Sequence, residues 1–312
     1  MRRSLPAGTR IGLVLGAGGS VGCAYHAGVL YSLLHHTGWD AREAESIVGT
    51  SAGSLVGALL RSGVDPEELA ILINGGRSID VAERLRALHH ASEQKIPMPS
   101  ALDVLRAFRP PTPQGVLGSL RYRSFRPALL SMVRPPRLDL RTLVEELDHL
   151  SADGWPERDL RICTVEMASG RRRVLTDNAG VSLSTAVAAS CAVPGLFAPQ
   201  KVGRHRLTDG GVHSVTNIDV LPFDRLDEVW VIAPMAVAVF HHFGTSGMRN
   251  RIASTLRNEL RSVPRGMRVR LFEPQREASG AMGLDLMATD RAARTVLAGF
   301  LETGDAVSAA AF

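Results

Sequence analysis

The chain has 312 residues, 45% of them hydrophobic and 5% aromatic, which suffices for one large α/β domain with an insertion. Its formal net charge is +5, but the basic residues follow no single helix face and no recognition motif is present, so we expect no nucleic-acid partner. The three cysteines, Cys23, Cys163 and Cys191, are scattered without metal-ligand spacing, which argues against a disulfide framework and a zinc site.

The first predicted element is a buried strand over residues 10–15, followed by a glycine-rich loop and a helix. The loop contains Gly16, Gly18, Gly19, Ser20 and Gly22. Such a loop presents unpaired backbone N–H groups beside the positive end of a helix, so it is suited to bind a negative oxygen. A dinucleotide pyrophosphate and the oxyanion of an acyl intermediate both meet this description. The spacing favours the oxyanion, because Val21 stands where a dinucleotide-binding motif needs its third glycine.

The second predicted element is a strand over residues 45–49 that runs into a helix through Gly49-Thr50-Ser51-Ala52-Gly53. A Gly-x-Ser-x-Gly turn between a strand and a helix is a strained elbow that presents the serine hydroxyl at the positive helix end. A flexible glycine loop is the alternative interpretation. The apolar strand before the turn and the spaced apolar residues after it favour the elbow, with Ser51 as a candidate nucleophile.

The third segment, residues 84–155, interrupts the regular pattern of strands and helices. Between residues 84 and 141 it carries eleven basic residues, three acidic residues and eight prolines, with apolar residues interleaved. We predict a helical cap insertion here. Its basic and apolar composition suits peripheral contact with an anionic membrane, while a solvated loop over the core is the alternative.

Further strands are predicted over residues 160–166 and 228–233, and a short strand between them ends in Asp209-Gly210-Gly211. A serine nucleophile needs a neighbouring base, usually histidine. None of the ten histidines has a convincing setting; His26 and His213 come nearest, and we interpret both as structural. Asp209 is therefore the candidate base, although a simple turn is the alternative for Asp-Gly-Gly.

The last segment, residues 247–312, is predicted to be a helical extension packed on the core. Within it we interpret Glu259 as a solvated carboxylate on a helix surface among nearby arginines. The strands over residues 10–15, 45–49, 160–166 and 228–233 alternate with helical segments, which predicts an α/β fold with a mostly parallel sheet.

Taken in this order, the glycine loop from Gly16 to Gly22, the elbow around Ser51 and the Asp209 motif resemble the patatin-like phospholipase family, serine acyl hydrolases with a Ser-Asp dyad. The run from Ala188 to Phe197 is also similar to the segment that precedes the aspartate in many members. The resemblance implies a three-layer α/β/α sandwich that forms a single hydrolase domain over residues 10–312, with residues 84–155 as its cap.

Carried over to this chain, the resemblance implies Ser51 as nucleophile, Asp209 as base and the amides of Gly18, Gly19 and Ser20 as the oxyanion hole. It also implies supporting roles for six motif glycines. These are Gly16, Gly22, Gly49, Gly53, Gly210 and Gly211. One departure is Ser20-Val21-Gly22, since the family loop often carries an arginine or lysine before its last glycine. Here the oxyanion hole would consist of backbone amides alone.

The expected function is that of a lipid acyl hydrolase of the phospholipase A or esterase type, which forms an acyl-enzyme on Ser51 and needs neither cofactor nor metal. An acyltransferase with the same dyad and a non-catalytic lipid-binding or regulatory member of the fold are the alternatives. The sequence leaves the lipid class and the oligomeric state open.

The cysteine pattern indicates a reducing compartment. No apolar run approaches the ~20 residues of a membrane span. The run at residues 11–15 after Arg2-Arg3 is too short for a signal peptide and contains Gly12. We expect a cytoplasmic protein with at most peripheral attachment to a membrane.

Overall fold

The computed structural model describes residues 8–74, 109–134, 139–140, 144–150, 154–236 and 246–309. A mixed sheet lies at the centre of the fold. Its strands are β1 (Ile11–Leu15), β2 (Ser46–Thr50), β3 (Asp159–Glu166), β4 (Arg172–Leu175), β5 (Gln200–Val202), β6 (His205–Asp209), β7 (Glu228–Ile232) and β8 (Arg268–Phe272). The hydrogen-bonded path runs β5-β6-β3-β2-β1-β7-β8, and β4 pairs with β3.

Five strands, β1, β2, β3, β7 and β8, run parallel, while β4, β5 and β6 form antiparallel pairs. Every residue of β1, β2 and β7 is buried, as expected for parallel strands covered on both faces. The strands predicted over residues 10–15, 45–49, 160–166 and 228–233 are confirmed to within one residue at each end.

Helices cover the sheet. They are α1 (Gly19–Thr37), α2 (Ala52–Arg61), α3 (Pro66–Ile73), α4 (Pro113–Tyr122), α5 (Arg126–Ser131), α6 (Glu146–Leu150), α7 (Leu183–Ser190), α8 (Ser246–Leu260), α9 (Arg276–Met282) and α10 (Ala292–Ala309). Helices α4, α5 and α6 lie within the predicted cap, residues 84–155, of which 84–108, 135–138, 141–143 and 151–153 are outside the described residues. None of the described helices is both long enough and apolar enough to cross a bilayer.

The two faces of the sheet bury separate cores, because successive side chains of a strand point to opposite faces. Leu13 and Leu15 belong to the larger core, which is shared with α1, α2, α7 and α10. Val14 belongs to the smaller core, together with Ile218 and Leu256 of α8. The predicted α/β fold with a mostly parallel sheet is thus confirmed, with a thinner layer of α8 and short 3₁₀ turns on the second face.

The segment after residue 246 contains a strand that the sequence analysis did not predict. Strand β8 adds to the edge of the sheet in parallel with β7, so this segment is not purely helical. Its last helix, α10, lies along α1. The two helices approach closely at Gly28, where an added Cβ would sit 2.2 Å from the Val296 carbonyl oxygen.

Candidate active site

Strands β2 and β6 meet end to end along one edge of β3. Strand β2 pairs with β3 up to the pair Thr50–Cys163, and β6 pairs with it from Thr164–Asp209 onwards. Both lie on the same edge, because β4 occupies the other edge from Ile162 to Val165. Since β2 runs parallel to β3 and β6 runs antiparallel, their carboxyl ends point at each other. This register brings Ser51 and Asp209 together.

Ser51 follows β2 directly and caps the start of α2. Its backbone has φ 51° and ψ −120°, a left-handed conformation that costs a residue with a side chain ~1–2 kcal/mol. The Ser51 amide donates to Ser190 Oγ at 2.9 Å, and Ser190 Oγ donates in turn to the Cys163 carbonyl at 2.7 Å. Ser190 thereby connects the strained turn to β3.

The carboxylate of Asp209 is buried and only partly satisfied. Oδ1 accepts a hydrogen bond from the Gly211 amide at 2.6 Å, while Oδ2 has no partner of full hydrogen-bond geometry within the described residues. Burial raises the pKa of Asp209 from 3.8 to about 6, and the nearby Ser51 hydroxyl and the Gly211 amide oppose this rise. A carboxylate with a vacant oxygen beside a serine hydroxyl is suited to accept its proton.

The glycine loop leaves a group of amides available. Within the described chain, the amides of Gly18, Gly19 and Ser20 donate to no protein acceptor, while Val21 N donates to Leu286 O at 3.2 Å and Gly22 N to Gly18 O at 2.9 Å. All three residues with free amides line the same cavity as Ser51. Three available N–H groups at the positive end of α1 can hold an anion there.

The motif glycines permit close backbone approach around these groups. An added Cβ at Gly53 would lie 1.9 Å from the Leu15 carbonyl oxygen, and one at Gly210 would lie 2.3 Å from that of Cys163. No side chain other than hydrogen fits at either position. The remaining motif glycines pack around the same turns: Gly16, Gly22, Gly49 and Gly211.

Ser51 and Asp209 open into a cavity of about 1160 Å³. Apolar side chains dominate its lining. One group comes from α2, α3 and the segment around Phe197, and another from residues 284–293. This volume and lining suit a long acyl chain better than a small polar substrate.

The two histidines nearest the motifs have structural contacts. His26 is fully buried and donates from Nε2 to Gly16 O at 2.8 Å, and burial lowers its pKa to about 4. His213 accepts from Arg126 through Nδ1 at 2.9 Å; burial, Arg172 and Arg126 lower its pKa to about 4. Neither ring lines the cavity.

Two cysteines that the sequence analysis assigned no place also line the cavity, Cys23 and Cys191. Burial raises the pKa of the Cys23 thiol to about 12, and it raises the pKa of Cys191 strongly as well. Both thiols therefore stay protonated at neutral pH and are poor nucleophiles. The three cysteines are free.

The interpretation of Glu259 as a solvated surface carboxylate is wrong. Its side chain is buried and accepts hydrogen bonds from Thr216 Oγ1 at 2.6 Å and from the Ile218 amide at 3.1 Å. Helix α8 packs this face against the loop that follows Asp209, and the helical pattern alone gave no signal of that contact.

The fold and the motif define the class of this protein. It is an α/β protein in which a Gly-x-Ser-x-Gly elbow follows a parallel strand. A family model described as patatin-like phospholipase matches residues 13–222. This match spans more than half of the chain, so the protein belongs to the patatin-like phospholipase family.

Three solved structures are similar at low identity. VipD from Legionella pneumophila has a TM-score of 0.48 and 15% identity, covering 98% of this chain and 67% of that one. The type III effector ExoU has a TM-score of 0.40 and 17% identity over 97% of this chain and 53% of that one. The heterodimeric complex ExoU-SpcU from Pseudomonas aeruginosa gives 0.35 and 19%, with coverage of 97% and 53%. The chain therefore spans about half the length of its match in the two ExoU structures.

Proposed function

We propose that this protein is a lipid acyl hydrolase of the phospholipase A or esterase type, which cleaves carboxylic esters through an acyl-enzyme on Ser51. Membership of a phospholipase family supports a lipid substrate. The proposal rests on one observation. Ser51 with its strained backbone, the buried Asp209 and the free amides of Gly18–Ser20 lie together at one apolar cavity.

In the first half-reaction, Ser51 Oγ attacks the ester carbonyl carbon while its proton passes to Asp209. The carbonyl oxygen becomes an oxyanion, which the amides of Gly18, Gly19 and Ser20 stabilise by hydrogen bonds. Collapse of the tetrahedral intermediate breaks the bond to the alcohol oxygen. Asp209 returns the proton to that oxygen, the alcohol leaves, and the acyl group remains on Ser51.

In the second half-reaction, a water molecule attacks the acyl carbonyl and passes its proton to the same Asp209 carboxylate. The intermediate collapses again, Ser51 Oγ leaves and takes back the proton, and a fatty acid is released. The raised pKa of Asp209, about 6, suits a group that must accept and return a proton near neutral pH.

Covalent labelling with a fluorophosphonate probe, followed by intact mass, tests the proposal. We expect wild type to gain one probe adduct and Ser51→Ala to gain none. Ser54→Ala is the matched control, since Ser54 lies one helical turn away and donates to the Ser51 carbonyl. No adduct on a folded wild-type protein would refute the proposal and favour a non-catalytic lipid-binding protein.

Products then identify the reaction. Incubation with phospholipid and neutral lipid esters should release free fatty acid, and the position of the lost chain defines the specificity. Transfer of the acyl chain to an added alcohol in place of its release to water would instead identify an acyltransferase.

A further inference from the structure

Helices α4 and α5 form a compact unit over residues 109–134, called here the α4–α5 hairpin. Its inner face is tied together by side chains of its own. Arg109 Nε donates to the Ser131 carbonyl at 3.1 Å, and the Thr112 amide donates to Ser131 Oγ at 3.0 Å. The Ala128 amide donates to Ser119 Oγ at 2.9 Å. The hairpin therefore has a defined inside and a defined outside.

Helix α4 turns its smallest residues inward. Gly115 and Gly118 are buried, and an added Cβ at Gly118 would lie 2.6 Å from the carbonyl oxygen of Ala168. Its large apolar residues point the other way, since Leu117 is 66% and Leu120 73% exposed. A helix packed on a protein core normally buries leucines and exposes polar residues. The reversed arrangement leaves an apolar face without a partner among the described residues.

Further apolar side chains extend this outer face. Among the described residues, the large hydrophobic side chains exposed on the hairpin are Val116, Leu117, Leu120, Phe125 and Leu129. Phe125, at 64% exposure, stands in the turn between the two helices. Exposed apolar side chains concentrated on one hairpin mark an interaction site more often than single leucines scattered over a surface do.

The charge of the hairpin has a single sign. Residues 109–134 contain five arginines and no aspartate or glutamate. Arg121, Arg123 and Arg134 are exposed, whereas Arg126 is turned inward to His213. Arginines around an apolar patch, with no acid among them, complement a surface that is apolar inside and anionic outside.

The hairpin stands beside the cavity that holds Ser51. Arg126 donates to His213, which follows the cavity residues Gly211 and Val212. On the other wall, an added Cβ at Gly195 would lie 3.1 Å from Val133, and the neighbours of Gly195 line the cavity. A surface that binds the outer face of the hairpin is therefore held close to the cavity.

We propose that the outer face of the α4–α5 hairpin docks on an anionic lipid bilayer, with Leu117, Leu120 and Phe125 among the acyl chains and Arg121 and Arg123 at the lipid phosphates. The uniformly positive charge of the hairpin favours an anionic membrane over another protein surface as its partner. The docking itself is independent of catalysis. Its use, to deliver an ester from the bilayer to Ser51, rests on the proposed function.

Co-sedimentation with vesicles tests the docking in the Ser51→Ala protein, so that failure of the hydrolase proposal does not affect the result. Vesicles of phosphatidylcholine alone are compared with vesicles that also contain phosphatidylglycerol. Leu117→Ser with Leu120→Ser should weaken binding to both by about tenfold or more. Arg121→Gln with Arg123→Gln should weaken binding to the anionic vesicles by about tenfold and leave binding to the neutral ones unchanged.

Matched variants on other surfaces provide the controls. Leu297 and Leu301 of α10 are 57% and 48% exposed, so Leu297→Ser with Leu301→Ser removes comparable apolar surface. Arg257→Gln with Arg265→Gln removes two exposed arginines elsewhere. Both control pairs should bind vesicles as the Ser51→Ala protein does, and the thermal midpoint of each variant verifies its fold.

Three results would overturn the docking proposal. The first is absence of binding to anionic vesicles. The second is equal loss of binding in the hairpin and control pairs. The third is self-association by analytical ultracentrifugation that the hairpin leucine pair abolishes while vesicle binding persists, which would identify a second copy of the chain as the partner.

Discussion

Asn217 donates a hydrogen bond from Nδ2 to Oγ1 of Thr50 at 3.0 Å. Thr50 is the last residue of β2 and precedes Ser51, while Asn217 belongs to the loop that follows Asp209. Asn217 itself holds a left-handed backbone with φ 58° and donates to the Ser214 carbonyl at 2.7 Å. This bond therefore links the segment that carries the candidate nucleophile to the segment that carries the candidate base.

The link predicts coupling between Thr50 and Asn217. Thr50→Val keeps the shape of the side chain but removes the acceptor, and Asn217→Gly removes the donor while tolerating the positive φ. In a double-mutant cycle on the free energy of unfolding, we expect a coupling of ~1 kcal/mol. Each single variant should also lower the rate of Ser51 labelling. Additive effects on unfolding would show that the hydrogen bond contributes nothing to stability.

The raised pKa of Asp209 predicts the pH dependence of acylation. Because the base must be ionised to accept the Ser51 proton, the labelling rate should be maximal at neutral pH and fall tenfold per pH unit below the pKa of about 6. Quenched labelling reactions with an uncharged fluorophosphonate at a series of pH values measure the labelling rate. A constant rate down to pH 4 would contradict Asp209 as the base.

The same burial predicts that Asp209→Asn is more stable than wild type. The folded protein disfavours the charged carboxylate, so the pKa of Asp209 is 3.8 in the unfolded chain and about 6 in the folded protein. Ionisation therefore lowers the free energy of unfolding as the pH rises from 3.8 to about 6. At pH 8 the neutral amide should raise the free energy of unfolding by ~2–3 kcal/mol and abolish labelling. The gain should shrink below pH 6 and vanish below the unfolded pKa; denaturant titrations at pH 8 and pH 4 measure it.

Gly19→Ala should disable the candidate oxyanion hole. Gly19 has φ 63°, and an added Cβ would lie 2.5 Å from the Leu286 carbonyl oxygen, so the loop must move. Displacement of one oxyanion donor lowers turnover by ~10² to 10³.

Gly38→Ala is the control for this substitution, since Gly38 has φ 78° with no atom near the added Cβ. It should cost ~1 kcal/mol of stability and leave turnover unchanged. Equal turnover in the two variants would exclude the glycine loop from catalysis.

Ser190→Ala should disturb the position of Ser51 at the elbow as well as lower the stability of the fold. It leaves the buried Ser51 amide without its acceptor, which costs ~1–3 kcal/mol of stability. Ser32→Ala provides the comparison, because Ser32 is equally buried and donates to the Phe300 carbonyl at 2.8 Å, far from the cavity.

Both serine variants should lower the free energy of unfolding, and Ser190→Ala alone should also slow the labelling of Ser51. Titration with denaturant and labelling time courses on the same preparations give the two quantities. If the two variants label at the same rate, Ser190 has no positioning role at the elbow.

Local patterns in the sequence were sufficient for the parallel strands β1, β2, β3 and β7 and for the glycine-rich turns that follow β1 and β2. The apolar runs at residues 11–15 and 229–232 identify buried strands because a parallel strand covered on both faces needs mainly apolar side chains. The glycine loop and the elbow are equally local, since their backbone conformations depend on residues that are adjacent in the chain. The family resemblance depends on the same short motifs.

The tail of the chain shows where local pattern failed, and the hairpin shows what it left undecided. Helical spacing made Glu259 an exposed residue, but α8 buries it against Thr216. Strand β8 gave no apolar run, because it lies at the edge of the sheet and carries Arg268 and Arg270, which form ion pairs with Glu228 of β7. The apolar residues of the cap were expected at a membrane surface or in a solvated loop, but only the packing of α4 decided which of them face outward, such as Leu120 at 73% exposure.

The sequence by itself determined the buried parallel strands at the centre of the sheet and the residue types at their ends, because these depend on backbone propensity and on the pattern of apolar side chains. Only the tertiary structure decided that Ser51 meets Asp209. That meeting depends on two strands far apart in the chain pairing end to end with β3. The raised pKa of Asp209 has the same origin, because burial belongs to the packed protein and to no single segment of it.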